Sequence, residues 1–160
     1  FKVLLQLAYV PSGSMETTIP TKCLLIGWRL PYVVSDPVPE RGDIVTFWDE
    51  ELNKVLVKRV VGLPGETLSF KNGYTYVSGE KLDESYLPTQ GITTLPDSMA
   101  DKTFTVPEGC MFVMGDNRTG SNDSRLLGEP YIPIEAVQAR MLVAISVGSD
   151  QSWQGVRWIG

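Results

Sequence analysis

Three short segments hold residue types able to do chemistry, and the chain contains no histidine with which the commonest serine or cysteine mechanisms would work. Pro11-Ser12-Gly13-Ser14-Met15 follows an apolar run and reads as a small-residue turn that would present a hydroxyl and neighbouring backbone N–H groups. The same composition suits an ordinary turn whose serines bond their own backbone, and the Gly-x-Ser-x-Gly spacing of a nucleophile elbow is absent. In Val55-Leu56-Val57-Lys58-Arg59-Val60-Val61, strand alternation places Lys58 with Leu56 and Val60, and Arg59 with Val57 and Val61. One of the two cations must therefore share an apolar face. Either such a lysine guards an edge strand against aggregation, or it is desolvated, with a lowered pKa, and serves as a neutral general base. The third segment is Gly115-Asp116-Asn117-Arg118-Thr119-Gly120-Ser121-Asn122-Asp123-Ser124-Arg125. A calcium loop fails there, because Arg118 stands where an oxygen ligand is needed and no acid closes the loop. Its acids and arginines suit an ion-pair cluster that fixes a loop, a solvated turn being the other reading.

The elements that must position these residues are short strands. Apolar, often β-branched runs recur at 3–10, 23–27, 43–48, 55–61, 67–70, 74–77, 104–106, 111–114 and 139–147. Strong turn signals separate them, including Leu63-Pro64-Gly65 and the hairpin dipeptide Asn72-Gly73. A short helix is predicted near 133–137, opened by Pro133. Residues 79–101 are polar, hold Pro88, Gly91 and Pro96, and read as a loop-rich insertion projecting from the β core. The expected fold is one mainly β domain of antiparallel sheets over 1–160, with a groove along one face that would hold the candidate residues.

Composition removes whole classes of function. A net charge of −5 leaves no basic footprint for nucleic-acid phosphates. Without histidine a zinc site lacks its commonest nitrogen ligand, and neither a metal nor another cofactor is expected. Cys23 and Cys110 lie in apolar stretches and are read as buried free thiols. No apolar run approaches the ~20 residues that span a bilayer. The chain opens at Phe1 inside an apolar segment, so a preceding membrane anchor is expected in the parent protein.

Taken in order, these three segments together with Arg41-Gly42-Asp43-Ile44-Val45 resemble the type I signal peptidase family over roughly residues 9–142. The family's serine box, Pro-Ser-x-Ser-Met, is met at 11–15. Its lysine box, Lys-Arg-x-x-Gly-x-Pro-Gly, is met at 58–65, and its last box, Gly-Asp-Asn-x-x-x-Ser-x-Asp-Ser-Arg, at 115–125. The resemblance implies a membrane-anchored serine endopeptidase with a Ser/Lys dyad. Its catalytic domain would lie on the extracytoplasmic face of the membrane and remove signal peptides from exported preproteins. It further implies Ser14 as nucleophile, Lys58 as general base, and Ser12 with the Ser14 N–H as the oxyanion hole. Ser121 would orient Lys58, and Asp116, Asp123 and Arg125 would brace its loop. The substrate would add as a strand between 10–11 and 55–58, with Val10, Pro11, Met15, Ile19, Leu56 and Val57 binding it and small apolar pockets selecting small side chains. Two departures stand out: Thr17 replaces a usual proline, and Thr21-Lys22 replace a usual Gly-Asp. A self-cleaving Ser/Lys peptidase of the SOS-repressor type and a non-catalytic β binding domain are the competing readings. Among Trp28, Trp48, Trp153 and Trp158, some could serve as anchors at a membrane surface.

Overall fold

The computed structural model describes residues 4–16, 18–29, 31–32, 38–99, 101–147 and 155–160. Its strands are β1 (Leu5–Val10), β2 (Cys23–Trp28), β3 (Ile44–Asp49), β4 (Lys54–Gly62), β5 (Thr67–Lys71), β6 (Tyr74–Val77), β7 (Glu80–Lys81), β8 (Phe104–Thr105), β9 (Cys110–Met114), β10 (Ile132–Pro133), β11 (Val137–Ser146) and β12 (Val156–Trp158). The larger sheet runs in the order β1-β2-β11-β3-β4-β9-β10, with β12 also on β11, and the smaller runs β7-β6-β5-β8. Every pairing is antiparallel, so the fold is mainly antiparallel β as the alternation predicts. All nine apolar runs lie on strands, although Val3 falls outside the described residues.

Hydrophobic burial explains this layering. Val45, Phe47, Val60, Met111 and Val113 form one cluster, while Val61, Phe112 and Met114 join Leu68, Phe70 and Phe104 of the small sheet in another. Strand β9 and the second half of β4, from Lys58 on, are thus buried on both faces, which is why Cys110–Met114 reads as an unbroken apolar run. A third cluster, with Val10, Met15, Ile19, Cys23, Leu25 and Ile44, lies under β1, β2 and β11. Between β5 and β6, Asn72 and Gly73 both take positive φ (52° and 80°), the type I′ geometry that suits a two-residue hairpin.

Three expectations need correction. The helix near 133–137 is a single 3-10 turn over Ile134–Ala136. Residues 79–101 do not project: Glu84, Leu87 and Thr93 are buried, and Leu82, Leu95 and Met99 pack against the Phe104–Phe112 cluster. Those apolar residues are irregularly spaced, so no periodicity announces their burial. Cys110 is only half-buried; Cys23 is buried, and the two are not joined in a disulfide.

Candidate active site

Strand β1 ends at Val10 and delivers the chain into the serine turn. Buried Met15 and Ile19 anchor that turn in the core, and the Ile19 N–H donates to the Met15 carbonyl at 2.8 Å. The third segment holds it from the other side. Asn117 Nδ2 donates to the Gly13 carbonyl at 2.9 Å, and the Asn117 N–H to the Ser14 carbonyl at 3.1 Å. Facing this turn across β4, Lys58 Nζ lies 2.8 Å from Ser14 Oγ, which accepts its hydrogen bond. Lys58 is only 2% exposed, and no described carboxylate forms an ion pair with it. Burial lowers its ammonium from 10.5 to about 8; Asp123 and Asp116 oppose that shift, while Lys54 and Arg125 add to it.

Ser12, Ser14 and Lys58 open on a cleft of about 300 Å³ whose other walls include Leu56, Asn117 and Asn122. A larger depression of about 800 Å³ lies among Trp48, Glu50, Glu51, Glu129 and Tyr131. It holds no nucleophile beside a base, so the smaller cleft is the candidate site. Among the described residues no group of three His, Cys, Asp or Glu is arranged to hold a metal ion.

Behind the cleft lies a layer of buried ion pairs. Arg59, next to Lys58 but on the opposite face, grips Asp116 through Nε and Nη2 at 2.9 and 2.7 Å and donates to the Gly42 carbonyl at 2.7 Å. Thr18 Oγ1 adds a 2.5 Å bond to the same carboxylate. Asp123 accepts from Arg125 Nε and Nη2, both at 2.9 Å, and from the Gly115 N–H at 2.9 Å. Gly115 admits no side chain: a Cβ there would stand 2.2 Å from Ser121 Oγ and 2.4 Å from the Ser14 carbonyl.

The structure distributes the expected site residues unevenly. Ser14 and Lys58 meet, with Ser12 on the exposed rim of their cleft. Asp123 and Arg125 pair with each other, while Asp116 pairs with Arg59 of β4. The bond expected from Ser121 to Lys58 is not formed. Ser121 is buried over Gly115, and its Oγ has no hydrogen-bond partner among the described residues. Of the residues expected to bind substrate, Leu56 lines the cleft and Pro11 is exposed, whereas Val10, Met15 and Ile19 lie in the core with Val57 packed against them. Alternation along β1 turns Val10 inward with Ala8, which also packs on that cluster. Of the two departures, Thr17 falls outside the described residues, and Lys22 takes a left-handed φ of 61° in the turn before β2.

Two residues that matter here, Glu84 and Tyr86, carried no recognisable signal. Arg118 sends Nη2 to Glu84 Oε1 at 2.6 Å and to the Tyr86 hydroxyl at 3.0 Å, and Nε to the Gly115 carbonyl at 3.1 Å. The Tyr86 ring in turn lies 4.0 Å from the Arg59 guanidinium carbon. The segment 79–101 thus clasps the loop behind Ser14, a role visible only as an acid and an aromatic standing near an arginine-rich loop in space. Asn117 had a signal, its place inside the third box, but no role was read from it.

Comparison with known proteins agrees with this geometry. The sequence profile of the signal peptidase family, peptidase S26, matches residues 1–145. Signal peptidase I of Pseudomonas aeruginosa is 32% identical over 90% of this chain and 64% of its own length. The Bacillus caldolyticus enzyme of the same name is 41% identical over 75% of this chain and 69% of its own. A crystal structure of a signal peptidase I from Enterococcus faecalis V583 superposes with a TM-score of 0.54 at 31% identity, covering 65% of this chain and 97% of that one. The chain belongs to the signal peptidase family, peptidase S26. It spans about three fifths of the length of other curated relatives that it matches.

Proposed function

We propose that this chain is the catalytic domain of a signal peptidase I, a serine endopeptidase that cleaves signal peptides from exported preproteins with a Ser14/Lys58 dyad. The observation that carries this reading is the 2.8 Å contact between Ser14 Oγ and a lysine that is buried without a carboxylate partner. Neutral Lys58 takes the Ser14 proton as Oγ attacks the scissile carbonyl. Ser12 Oγ and the Ser14 N–H stabilise the oxyanion, and Lys58 then passes the proton to the leaving amine. Water, activated by the same lysine, hydrolyses the acyl-enzyme. Gly115, Asn117, Asp123 and Arg125 hold the loop against the serine turn, and Ser121 supplies a second hydroxyl near the dyad.

The substrate's residues before the cut lie extended along β4. That strand pairs with β9 only from Arg59 onward, which leaves the edge of residues 54–58 on that side without a partner strand among the described residues. Of the residues expected to bind substrate, the accessible Pro11 and Leu56 contact the small residues at the first and third positions before the cut. The apolar outer face of the large sheet contacts the membrane surface on the extracytoplasmic side. Leu7, Tyr9, Trp28, Val156 and Trp158 are exposed on it, and ladder pairs such as Leu7 with Ile26 and Val143 with Trp158 make it continuous. No described helix is long and apolar enough to cross a membrane.

The test is mass spectrometry of a preprotein with an Ala-x-Ala site incubated with the protein. Cleavage after the second alanine is expected. Ser14→Ala and Lys58→Met should each lower the rate by at least about a thousandfold with the fold intact by circular dichroism. Undiminished turnover in either folded variant would overturn the dyad.

A further inference from the structure

The cleft beside Ser14 carries one charge that the proposed chemistry does not use. Lys54 begins β4 and, by strand alternation, shares a face with Leu56 and Lys58; all three line the cleft. Lys58 is buried, but Lys54 is exposed, and among the described residues its ammonium makes no hydrogen bond or ion pair. Asp49, opposite Lys54 in the β3–β4 ladder, is buried and spends its Oδ1 on the Leu52 N–H at 2.7 Å. The remaining cleft residues include Ser12, Asn117 and Asn122 and no carboxylate. The Lys54 charge also reaches the dyad, since it helps to lower Lys58 against the opposing pull of Asp123 and Asp116.

A peptide laid on the free edge of 54–58 advances ~3.3 Å per residue and turns alternate side chains to the same face. With its scissile carbonyl at Ser14 Oγ, the residue beside Lys54 stands four positions away, ~13 Å along the strand. We propose that Lys54 is a specificity residue of this site, binding an acidic side chain at the fifth residue before the scissile bond and disfavouring a basic one there. The proposal rests on the strand-addition reading given above and adds to it a preference in the substrate.

The experiment uses three synthetic peptides with one Ala-x-Ala cleavage site, differing only in having Glu, Gln or Lys at the fifth residue before the cut. At low ionic strength the parent should cleave the Glu peptide with a kcat/KM about fivefold above that for the Lys peptide, an exposed ion pair being worth no more than this. The preference should collapse in about 0.5 M salt, where exposed charges are screened. Lys54→Gln should remove it, and Lys54→Glu should reverse it. Equal cleavage of the three peptides by the parent, or a preference that survives in Lys54→Gln, overturns the role of Lys54 alone. Failure of the parent to cleave any of the three overturns the peptidase reading and this proposal with it.

Discussion

Lys58 and Arg59 are adjacent cations on one strand, both nearly inaccessible to water, yet they sit in two different kinds of surroundings. Lys58 faces the serine turn, with Ser14 Oγ as its hydrogen-bond partner and no carboxylate paired to it. Arg59 points to the other face, where Asp116 takes it bidentately, the Gly42 carbonyl takes a third bond and the Tyr86 ring covers it. Burial alone disfavours a charge and pushes a lysine toward neutrality, whereas burial with a hydrogen-bonded partner locks a charge in place. On the proposed mechanism, one strand thereby supplies a base to the cleft and a brace to the layer behind it. The guanidinium suits the second task because its planar fork matches a carboxylate, and the primary amine suits the first because it can give up its proton.

Removing the two charges should therefore have opposite effects on stability. Arg59→Met leaves Asp116 buried and uncompensated, and should cost about 3–5 kcal/mol in urea melts at pH 7. Lys58→Met fills the same space without a charge and should be at least as stable as the parent there. A methionine at 58 that destabilises as much as one at 59 would erase the distinction between base and brace.

Varying the pH sharpens the contrast. Lys58 binds its proton more weakly in the folded chain, at about 8, than at its ordinary value of 10.5. Keeping it charged in the fold therefore costs stability, in full below pH 8, and that cost shrinks as the pH rises from there toward 10.5. The interval corresponds to on the order of 3 kcal/mol. The advantage of Lys58→Met should narrow through this window, while the stability gap for Arg59→Met should not follow it. In the parent, kcat/KM should rise with pH through about 8 as Lys58 loses its proton. A profile flat from pH 6 to 9 would remove the base from Lys58.

The smallest effect concerns the clasp. Tyr86→Phe keeps the ring over Arg59 but deletes the hydroxyl between Arg118 and Glu84. A loss of about 1 kcal/mol in stability is expected, with activity within about twofold of the parent. A larger fall in kcat at unchanged stability would mean that the segment 79–101 tunes the dyad and does more than brace the loop.

Strand content and the segments that bring Ser14 and Lys58 together were legible in the sequence because both rest on local pattern. Alternation in residues 55–61 already separated Lys58 from Arg59, and Leu56 and Val60 do join one cluster while Val57 and Val61 pack against the others. The three boxes ordered Ser14, Lys58 and the loop of Asp123 and Arg125, because their residue types are tied to fixed spacings. Strands β7, β10 and β12, of two or three residues each, left no period to read.

What only the tertiary structure decided are the partners brought from far along the chain. Asp116 stands beside Asn117 in the third box, yet it closes on Arg59, fifty-seven residues away. Glu84 and Tyr86 fold back on Arg118 from a segment whose polarity suggested solvent. The free edge of β4 exists because β9 joins it late, at Arg59. A one-dimensional pattern records which face a side chain takes on its own strand. Which group meets it there depends on how separate strands and loops pack, and in this protein that packing leaves Lys58 without a counter-charge and gives one to Arg59.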